Sequence, residues 1–306
     1  MLPLRHPKKS LIVTKMFSNV ASVVVTYSRP EELKLVVRSL LSQVAPPRVI
    51  LVIDNASPKP AREVLVDFPS VEVIRSDENT GGAGGFALGL QAALLRGVDW
   101  VWLMDDDAIP EAGALDALLD ASSKLSNDVG ALCSSVYEYG KIALAHRRSF
   151  NYRFGIERVL PLNKYSDVCE IDTGSFVGFF VRATAAQEVG LPDKSFFLAY
   201  DDTEYSLRLK KHGWKLSLVP LSKIEHLRPQ GSRLRHGTFS SKHFYNVRNR
   251  IYVLRQYCYW RGMGTFLGVL IGFAMWISSV KFWKFGNSRL FYRSIRDGCG
   301  GKLGKL

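Results

Sequence analysis

Between residues 21 and 104 the chain alternates short apolar, β-branched runs with segments of helical periodicity, and this alternation limits the possible architecture more than any other feature. Residues 21–26 read Ala-Ser-Val-Val-Val-Thr, a continuous run of the kind buried on both faces of a parallel sheet. After Tyr27-Ser28-Arg29-Pro30, the positions Leu33, Val36, Val37, Leu40 and Leu41 recur at helical spacing. They predict a helix over 31–43 with Pro30 near its start. Residues 48–53 and 71–75 read as the next strands, about 84–96 as a second helix, and 100–104 as a fourth strand. The expectation is an α/β fold with an open, mostly parallel sheet flanked by helices, and ligands of such sheets bind at the carboxyl ends of the strands.

Acids and glycines collect on that rim. Asp54 ends the second strand, and the run Trp100-Val101-Trp102-Leu103-Met104 stops at Asp105-Asp106-Asp107 before Ala108-Ile109-Pro110. Adjacent carboxylates repel one another, and a hard divalent cation with oxygen ligands is one reason to hold them together. A solvated acidic turn opening a helix over 111–125 accounts for the same residues, because acids favour helix N-termini. In Asn79-Thr80-Gly81-Gly82-Ala83-Gly84-Gly85-Phe86, four glycines within five residues permit close ligand approach, and amides at a helix start suit phosphate. A flexible turn is the alternative. The cluster lacks the Lys and hydroxyl of a P-loop, and it opens the third strand-to-helix turn, not the first, where a dinucleotide fingerprint would stand.

These segments carry a family resemblance. Val23-Val24-Val25-Thr26-Tyr27, Val52-Ile53-Asp54-Asn55-Ala56-Ser57, Asn79-Thr80-Gly81-Gly82 and Leu103-Met104-Asp105-Asp106-Asp107 resemble the ordered motifs of family-2 inverting glycosyltransferases of the GT-A (Rossmann-like) fold. Downstream, Thr173-Gly174-Ser175-Phe176, Val189-Gly190-Leu191-Pro192 and Tyr200-Asp201-Asp202-Thr203-Glu204-Tyr205 resemble that family's acceptor-side segment. The segments at 79–86 and 200–205 are similar to those of galactofuranosyltransferases of bacterial cell-wall and surface polysaccharide synthesis, whose donor is UDP-galactofuranose. Rhamnosyltransferases using dTDP-rhamnose share much of the pattern.

The resemblance implies roles for individual residues. Asp54 would accept a hydrogen bond from the nucleotide base, with Thr26 and Tyr27 lining the same pocket and Asn79, Gly81 and Gly82 beside the donor. Asp105 and Asp107 match the two acids of an Asp-x-Asp motif: Asp107 would ligate a divalent metal, Mn²⁺ or Mg²⁺, Asp105 would lie nearer the ribose, and Asp106 stands between them on the donor side. His226, which follows a strand read over 216–220, matches a third metal position, and an imidazole suits Mn²⁺ better than Mg²⁺. Arg29 suits the diphosphate, because a guanidinium stays charged and offers paired donors; an exposed turn arginine is the alternative. A sugar hydroxyl attacking an anomeric carbon needs a general base, and the resemblance points to Asp202, with Asp201 orienting it. Gly174, Ser175 and Glu204 would face the acceptor, Glu204 alternatively a nearby arginine. The same acids 201, 202 and 204 could instead only cap a helix over 203–211.

Charge divides the chain. From Arg228 onward there are fifteen Lys or Arg against one acid, Asp297, so this segment carries the whole formal charge of +13. Within it 262–280 is uncharged, at the threshold length for a membrane span. Tyr257, Tyr259, Trp260, Trp276, Phe282, Trp283, Phe285 and Tyr292 surround it. Aromatic and basic residues of this kind suit helices lying in the headgroups of an anionic leaflet. The expected organisation is a basic N-terminal tail (1–19), a glycosyltransferase domain (20–227) and a basic, aromatic, helical membrane-associating appendage (228–306) that brings the active site to a lipid-linked glycan at the cytoplasmic face. One true span or a soluble helix pair are the alternatives.

The last residues, 298–306, read as a frayed tail. Four cysteines without paired spacing fit reduced thiols, and the apolar run 11–13 is too short for a secretory signal. Nucleic acid is disfavoured as partner, because its binding grooves have no use for an uncharged apolar run. A binding module that has lost catalysis is disfavoured by the intact set Asp54, Asp105, Asp107, Asp202 and His226. Oligomeric state has no signature in the sequence.

Overall fold

The structure, a computed structural model, describes residues 18–227, 238–280 and 287–306. The basic stretch before Ser18, the residues from Arg228 to 237, and Phe282, Trp283 and Phe285 lie outside these. The alternation is present as β1 (Ser18–Thr26), α1 (Pro30–Leu41), β2 (Pro47–Asp54), the single turn α2 (Ala61–Val64), β3 (Glu72–Arg75), α3 (Gly81–Leu94) and β4 (Trp100–Asp105). β1 runs parallel between β2 and β4, with Val23 level with Leu51 on one side and Leu103 on the other. Val23 and Val25 pack with Phe86 and Leu90 of α3, whereas Val20 and Val24 meet Leu33, Val36, Val37 and Leu40 of α1. Both faces are covered, so the strand needs no polar alternation. Each such buried branched side chain contributes about 1.5–3 kcal/mol.

The following elements are β5 (Ala108–Pro110), α4 (Ala114–Lys124), β6 (Val129–Glu138), β7 (Lys141–Ile142), β8 (Arg147–Asn151), β9 (Ile156–Val159), β10 (Cys169–Ile171), β11 (Thr173–Gly174), β12 (Phe179–Arg182), α5 (Ala183–Val189), α6 (Asp201–Lys211) and β13 (Lys215–His226). The main sheet has the order β10-β13-β6-β12-β4-β1-β2-β3, and β11-β8-β9 form a small second sheet. The main sheet is mixed: β12 inserts antiparallel between β4 and β6. The chain enters β12 through Gly178 at φ +74°, where a Cβ would lie 2.4 Å from Ile224 Cδ1.

Three sequence expectations change here. The acidic trio opens no helix: 108–110 pair as β5 with the end of β13, and the helix expected from 111 starts at Ala114. The strand expected over 216–220 extends to His226, because its register slips between Val219 and Lys223 and then continues opposite β5, bringing His226 level with Ala108. The glycines of 81–85 are the first turns of α3 rather than a loop before it.

After the body come α7 (Ser241–Tyr257), α8 (Arg261–Val280) and α9 (Ser288–Gly300). Gly264, Gly268 and Gly272 put one bare face of α8 against α7. A Cβ at Gly264 would meet Leu254 O at 2.3 Å, one at Gly268 would meet Ile251 at 2.9 Å and one at Gly272 Val247 at 2.7 Å. The glycines within 262–280 thus make it a close-packing helix. α7 is fastened to the body in turn, since buried Asn249 donates to the carbonyls of Phe196 at 3.0 Å, Leu198 at 2.9 Å and Ala199 at 2.8 Å. The expectation of a frayed tail at 298–306 fails: Gly304 N donates to Ser195 O at 2.6 Å, Arg248 Nη1 to Gly304 O at 2.5 Å, and Leu306 N to the Tyr245 hydroxyl at 2.7 Å. Backbone groups that find partners in the body hold a short glycine-rich segment that its own periodicity would leave free.

Candidate active site

Strand ends bring the acids together. Thr26 Oγ1 and Tyr27 N, at the end of β1, donate to Asp106 Oδ2 at 2.8 and 3.1 Å. Asp106 therefore fastens the β1 turn to the β4 turn, which leaves Asp105 and Asp107 to face elsewhere. Arg29 lies 3.4 Å from Asp106 and pairs closely with Asp107. His226, delivered by the end of β13, has Nε2 3.2 Å from Asp107 Oδ1.

Asp105, Asp107 and His226 can each offer one ligand atom, all within 4.8 Å of one another. Asp107 Oδ1 is buried and lacks an aligned hydrogen bond, the condition a bound cation would relieve, and a donor set of two carboxylates and an imidazole fits a divalent metal. Burial, with Asp107 and Asp106 alongside, pushes Asp105 up to about 7, and burial pushes Asp106 up to about 6. Burial opposes charge on His226 too, yet the adjoining Asp107 carboxylate pushes it up to about 9.

Two residues absent from the sequence reading complete this corner. Glu138, at the end of β6, has Oε1 3.0 Å from His226 Nδ1 and 3.2 Å from His146 Nε2, and His146 Nδ1 lies 2.7 Å from Ser175 Oγ. A single chain of contacts thus runs from Asp107 through both imidazoles to Ser175. Glu138 carried the same signal as Asp54 and Asp105, a carboxylate ending an apolar strand, but His146 had no pattern around it. Beneath them Arg147, fully buried, donates to the carbonyls of Ser134 at 2.9 Å, His146 at 2.8 Å and Val177 at 2.6 Å.

The residues expected on the donor side fall around two turns. Asp54 is fully buried and spends its oxygens inside the chain: Oδ1 accepts from Ser57 N at 2.8 Å, and Oδ2 accepts from Ala61 N at 2.9 Å and from Arg75. Burial disfavours its charge, but the amides of Ala61 and Ser57 outweigh it and hold the pKa below the ordinary value. Asp54 thereby shapes one wall of a cavity of about 210 Å³ lined by Thr26, Ser28, Arg29, Ser57, Lys59 and Ala61 among others. Tyr27 is 47% exposed beside it. Asn79 Oδ1 accepts from Gly81 N at 2.8 Å and Asn55 Nδ2 donates to Gly81 O at 2.8 Å, so Asn79 and Gly81 build the turn that starts α3. Gly82 meets nothing within 4 Å of an added Cβ.

Of the residues expected to face the acceptor, Gly174 and Ser175 line a second cavity of about 180 Å³, together with His146, Arg148, Asp202 and Thr203. Asp201 and Asp202 begin α6 after Phe197, Ala199 and Tyr200, all three at φ near +65°, a conformation fixed by the carbonyl bonds to Asn249. Burial raises the pKa of Asp202 and, strongly, that of Asp201, on which Asp202 and Asp105 also act. Glu204 turns away from this cavity: it pairs with Arg208 at 2.9 Å and accepts from the Tyr257 hydroxyl at 2.7 Å.

Comparison with known proteins fits this geometry. The sequence profile of Glycosyl transferase family 2 matches residues 22–186, the span that carries Asp54 and the acidic trio. The chain belongs to glycosyltransferase family 2. Among relatives of this glycosyltransferase, galactofuranosyltransferase GlfT1 of Mycobacterium tuberculosis (strain ATCC 25618 / H37Rv) is 32% identical over 257 residues, 79% of this chain and 84% of that protein. An N-acetylglucosaminyl-diphospho-decaprenol L-rhamnosyltransferase of the same strain is 28% identical over 231 residues, 67% and 74% of the two chains. S. aureus TarS 1-349 in complex with UDP superposes with a TM-score of 0.60 at 10% identity, covering 93% of this chain and 83% of that one. GalNAc-T7 with UDP, GalNAc and Mn²⁺ does so with 0.58 at 17%, covering 75% and 48%. The family-2 enzyme has the GT-A fold, with a helical region at its C-terminus.

Proposed function

We propose that this glycosyltransferase moves galactofuranose from UDP-galactofuranose to a hydroxyl of a lipid-linked glycan, with inversion at the anomeric carbon. The observation that carries the reading is the position of a half-buried carboxylate, Asp202, in an open cavity whose His146 is linked through Glu138 to His226 of the cluster Asp105, Asp107 and His226. Asp201, beside Asp202, feels the charge of Asp105. The acceptor hydroxyl attacks the anomeric carbon as the bond to UDP breaks, and its proton passes to Asp202. General-base help of this kind is worth about 10² to 10⁴ in rate. Asp105, Asp107 and His226 would hold Mn²⁺ or Mg²⁺, which when bound stabilises charge on the departing diphosphate. Arg29 adds a second positive group at the same place. The 32% identity to a galactofuranosyltransferase supports the donor. Rhamnosyl transfer from dTDP-rhamnose is the second reading, favoured by the rhamnosyltransferase relative.

The C-terminal helices would seat the enzyme on the cytoplasmic leaflet. α8 is long and apolar enough to cross a membrane, with 22% of that window buried. Met263, Phe266, Leu270, Phe273 and Ile277 form an exposed stripe along it. α7 packs on the body, α9 packs on α7, and the tail after α9 returns to Ser195, which supports a helix lying in the interface over one that crosses.

The test is transfer by the purified protein with each donor in parallel, with and without Mn²⁺, beside Asp202→Asn. Metal-dependent turnover of UDP-galactofuranose, lost in the variant, is expected. Turnover of dTDP-rhamnose alone would move the assignment to rhamnosyl transfer, and turnover of neither would overturn both.

A further inference from the structure

The acceptor-side cavity does not end at Asp202. Arg148 and Arg250 also line a third cavity of about 150 Å³, whose other walls include Leu254 of α7 and Leu267 and Ile271 of α8. The two spaces therefore meet at two arginines, with hydroxyls and the Asp202 carboxylate on one side and, on the other, aliphatic side chains beside Glu157, whose charge Arg148 pairs.

The two arginines are not equivalent. Arg148 is paired with Glu157, which also accepts from the Tyr200 hydroxyl at 2.9 Å. Arg250 has no carboxylate partner among the described residues; its guanidinium lies over the Tyr200 ring, 5.3 Å from the centroid, which orients the plane without neutralising it. Its Nε is buried without a hydrogen-bond partner, and so is Oδ1 of Asn246, one turn earlier on α7 and lining the same cavity. Buried polar groups left unpaired are costly, more so when charged, and two of them in one helix face beside an open space mark a place for a ligand. An anion satisfies Arg250, a hydroxylated group satisfies Asn246, and an apolar chain suits the third cavity.

We propose that Arg250 and Asn246, with Arg148, form the subsite for the anionic linker of an amphiphilic acceptor, whose sugar lies at Asp202 and whose apolar chain runs between Leu254 and α8. The proposal rests on the lipid-linked acceptor read above. It adds that the helix after the family-2 region supplies the binding groups.

The probe is farnesyl diphosphate, titrated calorimetrically into the full chain with UDP saturating the donor site, beside farnesol and inorganic diphosphate. Arg250→Ala should weaken farnesyl diphosphate about tenfold or more, the scale of one lost charge-assisted hydrogen bond, with Arg250→Lys in between and farnesol unaffected. Inorganic diphosphate should bind more weakly than farnesyl diphosphate. Asn246→Asp, which sets an anion beside the linker while keeping the guanidinium, should weaken farnesyl diphosphate and leave farnesol unchanged. Binding of farnesyl diphosphate within about twofold of wild type in a folded Arg250→Ala would overturn the proposal, as would equal losses for farnesol in either variant or equal binding of inorganic diphosphate. The assay contains no sugar donor, so its failure leaves the donor assignment standing, and failure of sugar transfer leaves this binding result standing.

Discussion

Glu138 and His226, 88 residues apart in sequence, meet at 3.0 Å between Oε1 and Nδ1, and this contact turns the other imidazole nitrogen toward Asp107. A carboxylate behind a histidine fixes the ring and its tautomer. Glu138→Gln should therefore weaken Mn²⁺ binding by roughly 10- to 100-fold, read as free Mn²⁺ by electron paramagnetic resonance without any substrate. Unchanged Mn²⁺ affinity in this variant would show that His226 needs no such support.

The proposed base role of Asp202 predicts a pH dependence. Burial raises its pKa, so the carboxylate takes up its proton at a higher pH than an ordinary aspartate. As the proposed base, Asp202 would act in its ionised form, so the rate should fall as pH drops through this raised value and recover as pH rises above it. The acid limb of kcat/KM should thus stand above the usual carboxylate range. In Asp202→Asn the limb should vanish and the rate drop by about 10² to 10⁴; a limb that persists in the variant would assign it to another group.

Neighbouring glycines of α3 should respond in opposite ways. Gly81 is at φ +72°, and a Cβ there would lie 1.9 Å from Phe197 O. Gly81→Ala should destabilise by more than the roughly 1–2 kcal/mol of the left-handed conformation alone. Gly82, with nothing near, should accept Ala at little change or with a gain of up to about 1 kcal/mol from helix propensity. Urea unfolding of both variants reads the contrast.

The docked tail should matter for stability. Removing 301–306 deprives the Arg248 guanidinium, whose residue is 2% exposed, of its Gly304 carbonyl. A buried donor without its acceptor costs about 1–3 kcal/mol, so the truncated chain should unfold at lower urea concentration. An unchanged midpoint would mean that water replaces the lost carbonyl.

The stripe on α8 predicts membrane behaviour separable from folding. Phe266 is 62% and Phe273 45% exposed. Phe266→Glu with Phe273→Glu should leave the thermal transition near that of the parent while abolishing co-sedimentation with vesicles containing anionic lipid. Loss of both together would make the stripe part of the folded core.

The sequence by itself determined the elements whose cause is local. Continuous β-branched runs at 21–26 and 48–53 and the 3.6-residue spacing of Leu33, Val36, Val37 and Leu40 state which faces are buried, and that is enough for the parallel β1–β4 unit. Strand ends ending in Asp54 and Asp105–Asp107 likewise mark the rim, since acids that stop apolar runs sit where the sheet ends. Only the tertiary structure decided what lies across from those acids. His226 reaches Asp107 through a register slip in β13, Glu138 and His146 arrive from a separate strand and turn, and Asn246 and Arg250 come from a helix that the charge pattern had set apart as a membrane appendage. Even the fate of the last six residues depended on a guanidinium and a hydroxyl more than fifty positions away. Periodicity records how each segment meets a core, but it holds no information on which distant segment forms that core, and polar contacts between remote residues exist only once the topology has brought them within hydrogen-bond reach.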